Sequence, residues 1–258
     1  MNFHRLIVTS ALTIFGIYAG LIVSLAWFFD PSVFMKCLLS ERTFYSVGLS
    51  IIAASLATLL SLGIALPAAY ALSRFDFKGK MMIDTLLELP MIVSPAALGA
   101  MLLIFFNNPL GLWLQENAMR FVFTFYGIVL AQFITILGVS TRLIKAALDE
   151  IPQRYEDVAR TLGATHFQAF RSITLPLCKR GIYAAAVLSW AKALGEFGAT
   201  LTVAGSMPMK TETLPIAIFM RLASAEIEQS VVLIVILISI GLILLYGARL
   251  ISGRKRYA

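Results

Sequence analysis

Lys192 and Glu196 stand four residues apart inside the otherwise apolar run Gly181–Gly205. On a helix that spacing puts both side chains on one face. An ionisable group at bilayer depth costs about 3 kcal/mol on insertion scales and faces a bundle interior or a water-filled cavity. Two readings are open: an ion pair in which each charge offsets the other's cost, or a position on a path or gate. Gly195 and Gly198, which flank Glu196, allow close backbone approach under either reading. A bare carboxylate repels an anion, so with an anionic cargo Glu196 must be paired or protonated. Leu89-Pro90 and Ser94-Pro95 are the second candidate group. Proline breaks a helix hydrogen bond, and freed carbonyls at membrane depth need protein or a water-filled path beside them. Ser94 and Pro95, with Lys192, Gly195, Glu196, Phe197 and Gly198, are therefore candidate lining of a path. The alternative for the prolines is a plain helix start with Pro90 in its first turn.

Catalytic chemistry finds no such inventory. The two histidines, His4 and His166, belong to no H-E-x-x-H pattern, and there is no G-x-S-x-G elbow. Gly79-Lys80 is followed by Met81, so the phosphate loop G-x-x-x-x-G-K-[ST] is absent. The chain is expected not to be an enzyme and to hold no cofactor or metal. ATP-driven work would need an ATPase on another chain. Cys37 and Cys178 are expected on opposite sides of a membrane, so they cannot pair, and they lack a metal-type spacing.

The elements that carry these residues are membrane helices. The chain has 258 residues, 59% of them hydrophobic and 14% charged, well outside the range of soluble domains. Its apolar runs are continuous rather than alternating, which argues against a β-barrel. A bilayer core takes ~20 residues of helix, and six runs qualify, at about 6–29, 46–72, 86–106, 121–145, 178–205 and 229–251. They form one all-α domain. The first is too long for a signal-peptide core and has no small-x-small cleavage site after it, so it is expected to be retained. Asn107–Arg120, with Pro109, Gly111 and Trp113, suits an outer loop.

The net charge of +7 is distributed by side. With the N-terminus inside, the inner segments hold Arg5, Arg74, Lys78, Lys80, Arg142, Lys145, Arg154, Arg160, Arg171, Lys179, Arg180, Arg249, Arg254, Lys255 and Arg256. The outer segments hold Lys36, Arg42, Arg120, Lys210 and Arg221. This asymmetry predicts cytoplasmic termini and a multi-pass protein of a prokaryotic plasma membrane. In the outer segment 206–229, Thr213 is placed to cap a helix beginning Leu214-Pro215, with Ile216, Phe219 and Leu222 on one side. That helix lies flat at the interface or dips inward.

The polar stretch 150–176 is predicted on the cytoplasmic side. Pro152 suits a first helical turn. Ile151, Tyr155, Val158, Ala159 and Leu162 form an apolar stripe at helical spacing. Gly163 supplies a left-handed stop, and Thr165 to Gln168 reads as a capping box that starts a second short helix. Phe167, Phe170 and Ile173 continue one face of it, and Pro176 closes the unit.

Asp157-Val158-Ala159, Gly163 three residues later, nine further residues and Ile173-Thr174-Leu175-Pro176 resemble the EAA motif of ABC-importer permeases. Asp and Val stand where that motif has Glu and Ala. Trp190-Ala191-Lys192-Ala193-Leu194-Gly195-Glu196-Phe197-Gly198-Ala199 is similar to a segment of the oxyanion permeases, the molybdate/tungstate and sulfate/thiosulfate transporters. Lys192 departs from their more usual arginine, which removes any bidentate contact there. Lys210 to Pro215 and Leu89-Pro90 also look like this group, and the overall plan looks most like the molybdate type.

The resemblance implies a type I ABC-importer permease fold and alternating access. It implies a homodimer in the bilayer, two ATPase subunits that bind ATP and Mg, an external substrate-binding protein, and no nucleic acid. It makes the stretch from Tyr155 to Gly163 the ATPase-coupling helix. Tyr155, Val158, Ala159 and Leu162 would face the ATPase, Arg160 would lie at the rim, and Glu156 and Asp157 belong to the motif. A secondary transporter is disfavoured by the lack of a visible inverted repeat.

Overall fold

A computed structural model describes residues 3–253. The described residues fold into helices: α1 (Phe3–Ser24), α2 (Pro31–Leu38), α3 (Glu41–Arg74), α4 (Lys80–Leu86), α5 (Leu89–Ile92), α6 (Pro95–Phe106), α7 (Pro109–Asn117), α8 (Phe125–Asp149), α9 (Arg154–Thr161), α10 (His166–Ala169), α11 (Leu175–Leu194), α12 (Gly198–Ala204), α13 (Leu214–Ala223) and α14 (Ile227–Gly253). His4 and the residues from 254 onward lie outside the described side chains.

The centre of the molecule is α3 packed along α8, with α11 against both. Its packing inverts the pattern of a soluble core. Ala53, Ala54, Ala57, Ala65 and Ala69 of α3 are fully buried, whereas Leu59, Leu60 and Ile64 are exposed. Lipid is as apolar as leucine, so large side chains gain nothing by turning inward, and small ones let backbones approach. Hydroxyls stitch the contact: Ser61 donates to Ser140 Oγ at 2.9 Å, and the Ser140 and Ser189 oxygens are 2.8 Å apart. Trp190 Nε1 donates to Ser55 Oγ at 3.0 Å. Three of the long helices are thereby tied at mid-depth.

Among the described residues, four helices are long and apolar enough to cross a membrane: Arg5–Phe28, Glu41–Arg74, Phe125–Asp149 and Ile227–Ala248. They correspond to the first, second, fourth and sixth expected spans. The other two expected spans are broken. Around the third, α4–α5 and α6 are bent by 112°, because Ser94 is extended and Pro95 starts a new helix. The fifth, expected as one crossing, stops at Leu194 and restarts at Gly198. Asn107–Arg120 contains a helix, α7, rather than plain loop.

The 206–229 segment packs the start of its helix into the bundle. Leu214, Pro215, Ile216 and Ala217 are buried, while Phe219 and Leu222, expected on the same face as Ile216, are exposed. Thr213 sits at the cap position without a side-chain cap bond. The segment is held instead by Glu212, buried and bonded through both oxygens to Arg42 at 2.7 and 2.6 Å, and by the Leu214 N–H donating to Ser50 Oγ at 2.7 Å. The first crossing, Arg5–Phe28, buries none of its residues.

A close crossing joins α6 to α12. A Cβ on Gly99 would lie 2.7 Å from Thr202 Cβ and 2.9 Å from Ala199 Cα. Gly99→Val must push these helices apart, at about 1–3 kcal/mol for overpacking. Thermal unfolding in detergent should show a clear fall in Tm for it. Gly48→Ala meets nothing within 4 Å and should leave Tm unchanged or slightly raised.

Candidate functional site

The two helix breaks meet. Ser94 starts α6 by accepting the Ala97 N–H on its Oγ at 3.3 Å. Glu196 starts α12 by accepting the Ala199 N–H on Oε1 at 3.0 Å. Gly198 lies against the Pro95-Ala96 backbone, so closely that a Cβ would be 2.9 Å from Ala96 N. Between the breaks is an open cavity of about 580 Å³, lined by Ser94, Pro95, Ala96, Ala191, Lys192, Gly195, Glu196, Phe197 and Gly198. All seven expected path residues lie on its wall.

The charges are not arranged as an ion pair. Among the described residues Lys192 has no carboxylate within salt-bridge distance. Glu196 is buried and turned into the start of α12, where the helix dipole favours a negative group. Lys192 is exposed on the cavity wall. The carboxylate is structural, and the ammonium is left facing the opening. Phe197 packs on Phe219 of α13, with ring centroids 4.8 Å apart. No spacing in the sequence links those two rings.

The second site is the polar unit. The helix α9 begins at Arg154, two residues past Pro152, so the proline precedes the first turn rather than forming it. It ends in a Schellman motif: the Ala164 N–H reaches Ala159 O at 3.1 Å, and the Gly163 N–H reaches Arg160 O at 3.0 Å. Gly163 is left-handed, φ +93°. The Thr165/Gln168 capping box forms as expected. A wider π-type turn, Phe170–Thr174, then leads into α11.

Tyr155, Val158 and Leu162 project into solvent, Leu162 with 84% of its surface exposed. Asp157 and Arg160 are exposed beside them, 3.7 Å apart. Ala159 is half-buried. Apolar side chains this exposed, on a polar helix outside the apolar spans, mark a contact surface.

Glu156, expected with the coupling residues, faces the other way. It is buried. Its Oε1 accepts from Arg74 Nε at 2.9 Å and from the Thr174 hydroxyl at 2.7 Å, and its Oε2 accepts from the Tyr70 hydroxyl at 2.8 Å. Arg74 Nη2 continues to the carbonyls of Leu148 and Ile151 at 3.0 and 2.9 Å. Burial pushes the Glu156 carboxyl up, but the bonds from Thr174, Tyr70 and Arg74 outweigh it and hold the group below its usual value of 4.5. Periodicity could not assign this role: on an eight-residue polar helix, the one charged residue turned inward has the same spacing as its neighbours.

Broken helices around an open cavity, with apolar side chains exposed on a short polar helix, fit a transport subunit. Residues 61–257 match the model of the family described as binding-protein-dependent transport system inner membrane component. The chain belongs to that family and is the permease subunit of an ABC importer, a multi-pass membrane protein. Its relatives are of the molybdate type and its sulfate kin. It is 36% identical over 188 residues to the molybdenum transport system permease protein ModB of Escherichia coli, covering 70% of this chain and 81% of the relative. It is 30% identical over 207 residues to the sulfate transport system permease protein CysT of Salmonella typhimurium, covering 80% and 75%. Its fold matches that of a bacterial ABC transporter involved in the import of the acidic polysaccharide alginate, with a TM-score of 0.79 over 99% of this chain and 96% of that one at 17% identity.

Glu156→Gln gives a test with a definite sign. The native carboxyl titrates below 4.5 and the unfolded one near it, so its contribution is complete above that value and is lost as pH falls through the native one. The parent should lose stability below pH 4.5 more steeply than the Gln variant. At neutral pH the variant should be less stable by about 3 kcal/mol, the low end for breaking a buried pair. Thermal unfolding across a pH series checks both.

Proposed function

We propose that the chain carries a tetrahedral oxyanion, molybdate or tungstate, into the cytoplasm by alternating access. It works as a homodimer with two ATPase subunits and an external substrate-binding protein. The observation that carries the cargo reading is Lys192, the ammonium on the cavity wall whose neighbouring carboxylate is engaged elsewhere. A lysine is a compact point charge without a fixed fork. It can draw a dianion into the opening and release it, where a bidentate arginine would hold it. The identity with the molybdate relative favours molybdate, and the sulfate relative keeps sulfate or thiosulfate as the second reading.

The partners follow from surfaces. The cavity is open, and Ser94, Pro95, Ala96 and Lys192 on its wall are exposed, so a second copy would complete a path between two Lys192 residues. The unburied first crossing supplies further apolar surface for that copy. The charge asymmetry supports a cytoplasmic position for the polar unit and both termini. There Tyr155, Val158 and Leu162 would enter a groove of the ATPase. The ATPase must prefer one conformation of the permease, since a partner with equal affinity for both drives nothing.

Uptake by proteoliposomes holding the whole transporter tests this. Lys192→Glu should lower molybdate uptake by about tenfold or more, the effect of a like charge on the path, while ATP hydrolysis continues. Leu162→Asp should abolish both uptake and co-purification of the ATPase. Unlabelled tungstate should compete with molybdate and sulfate should not. Full uptake in Lys192→Glu removes the cargo site, and equal competition by sulfate moves the cargo to the second reading.

A further inference from the structure

The helices α4 and α5 bury no residue at all, yet they lead directly to Ser94 and Pro95 on the cavity wall. Something must fix their position, and the structure has one firm hold. At the elbow between them, the Leu87 carbonyl occupies the place where a Cβ on Gly138 of α8 would stand. One turn along α8, Arg142 Nη2 donates to Glu88 Oε1. Gly138 and Arg142 are four residues apart and share a face. Among the described residues the Arg142 Nε is buried without a partner, and the hydrogen bond of this guanidinium is the one to Glu88.

The far end of α8 runs through Glu150 into the docking helix α9, and Arg74 bonds the carbonyls at that junction. We propose that the Leu87-Glu88 elbow, clamped to α8 at Gly138 and Arg142, is the link that passes movement of the docking helix to the cavity wall. The connection runs from α9 along α8 to the clamp, then through α5 to Ser94-Pro95 and across to Gly198. Glu88 and Arg142 are positioning residues: neither lines the cavity. The proposal rests on reading α9 as the ATPase dock.

The pair is half-exposed, with 40% and 39% of the two side chains accessible. A pair this open adds little to folding. Its loss should therefore appear in coupling and not in assembly. The test compares molybdate uptake per ATP hydrolysed in proteoliposomes of the whole transporter carrying Glu88→Gln, Arg142→Gln, or the exchange Glu88→Arg with Arg142→Glu. Each single variant should lower the ratio by about fivefold or more, the lower end for coupling between sites, and the exchange should restore most of it. Lys145→Gln, which removes the other α8 ion pair, to Asp149, should leave it near the parent value.

An unchanged ratio in the single variants overturns the proposal, as does an exchange no better than the singles. If the single variants fail to assemble, the exchange decides: assembled and coupled supports the clamp, while an assembled but uncoupled or an unassembled protein overturns it. Failure of the dock reading shows separately, as Leu162→Asp behaving like the parent.

Discussion

The buried Glu156 carboxylate is what the working arrangement depends on. A helix of eight residues does not hold its shape alone in water, and α9 must also be held at one angle if a partner is to push on it. Glu156 fastens it to Tyr70 and Arg74 of α3 and to Thr174 just before α11. Arg74 extends the contact to the last turn of α8. Four parts of the chain meet at one carboxylate. With Glu156 held there, α9 can leave Tyr155, Val158 and Leu162 facing outward.

The same division between bound and unbound charge runs through the molecule. Glu212 is taken up by Arg42 and Glu196 by the start of α12. Two buried carboxylates are thereby held by fixed donors. On the wall of the cavity the charge that remains is Lys192. A path for an anion needs this balance, because an unpaired carboxylate on its wall would oppose entry. The glycines at the break serve the same end, since Gly198 lets the two interrupted helices touch and brings Ser94 and Lys192 onto one wall.

Much of this is visible in the residues themselves. The residues of the cavity wall were legible because charge and proline are expensive inside apolar runs and so stand out. The polar unit was legible because Gly163 and the Thr165 box each impose a local backbone shape that needs no tertiary context, whereas Pro176, expected to close the unit, lies in the first turn of α11 and the helix runs on through it. Continuity was not. Hydropathy averages over Gly195–Phe197 and returns one crossing, while the backbone stops because Glu196 caps a new helix there. Inward and outward faces of short helices were also hidden: Glu156 turns in and Phe219 turns out, each decided by partners distant in sequence. Contacts such as Glu88 with Arg142 leave no trace in spacing at all.

If Glu156 fastens α9 to the long helix α3 as its bonds to Tyr70 and Arg74 imply, the two helices move as one piece through the proposed cycle. Spin labels at Thr161 on α9 and at Leu59, on the outer surface of α3, measure it directly in transporters carrying one labelled permease. The distance should be the same in the nucleotide-free and ATP-trapped states. A shift approaching one helical turn, about 5.4 Å, would mean that α9 slides on the bundle, and would contradict the account.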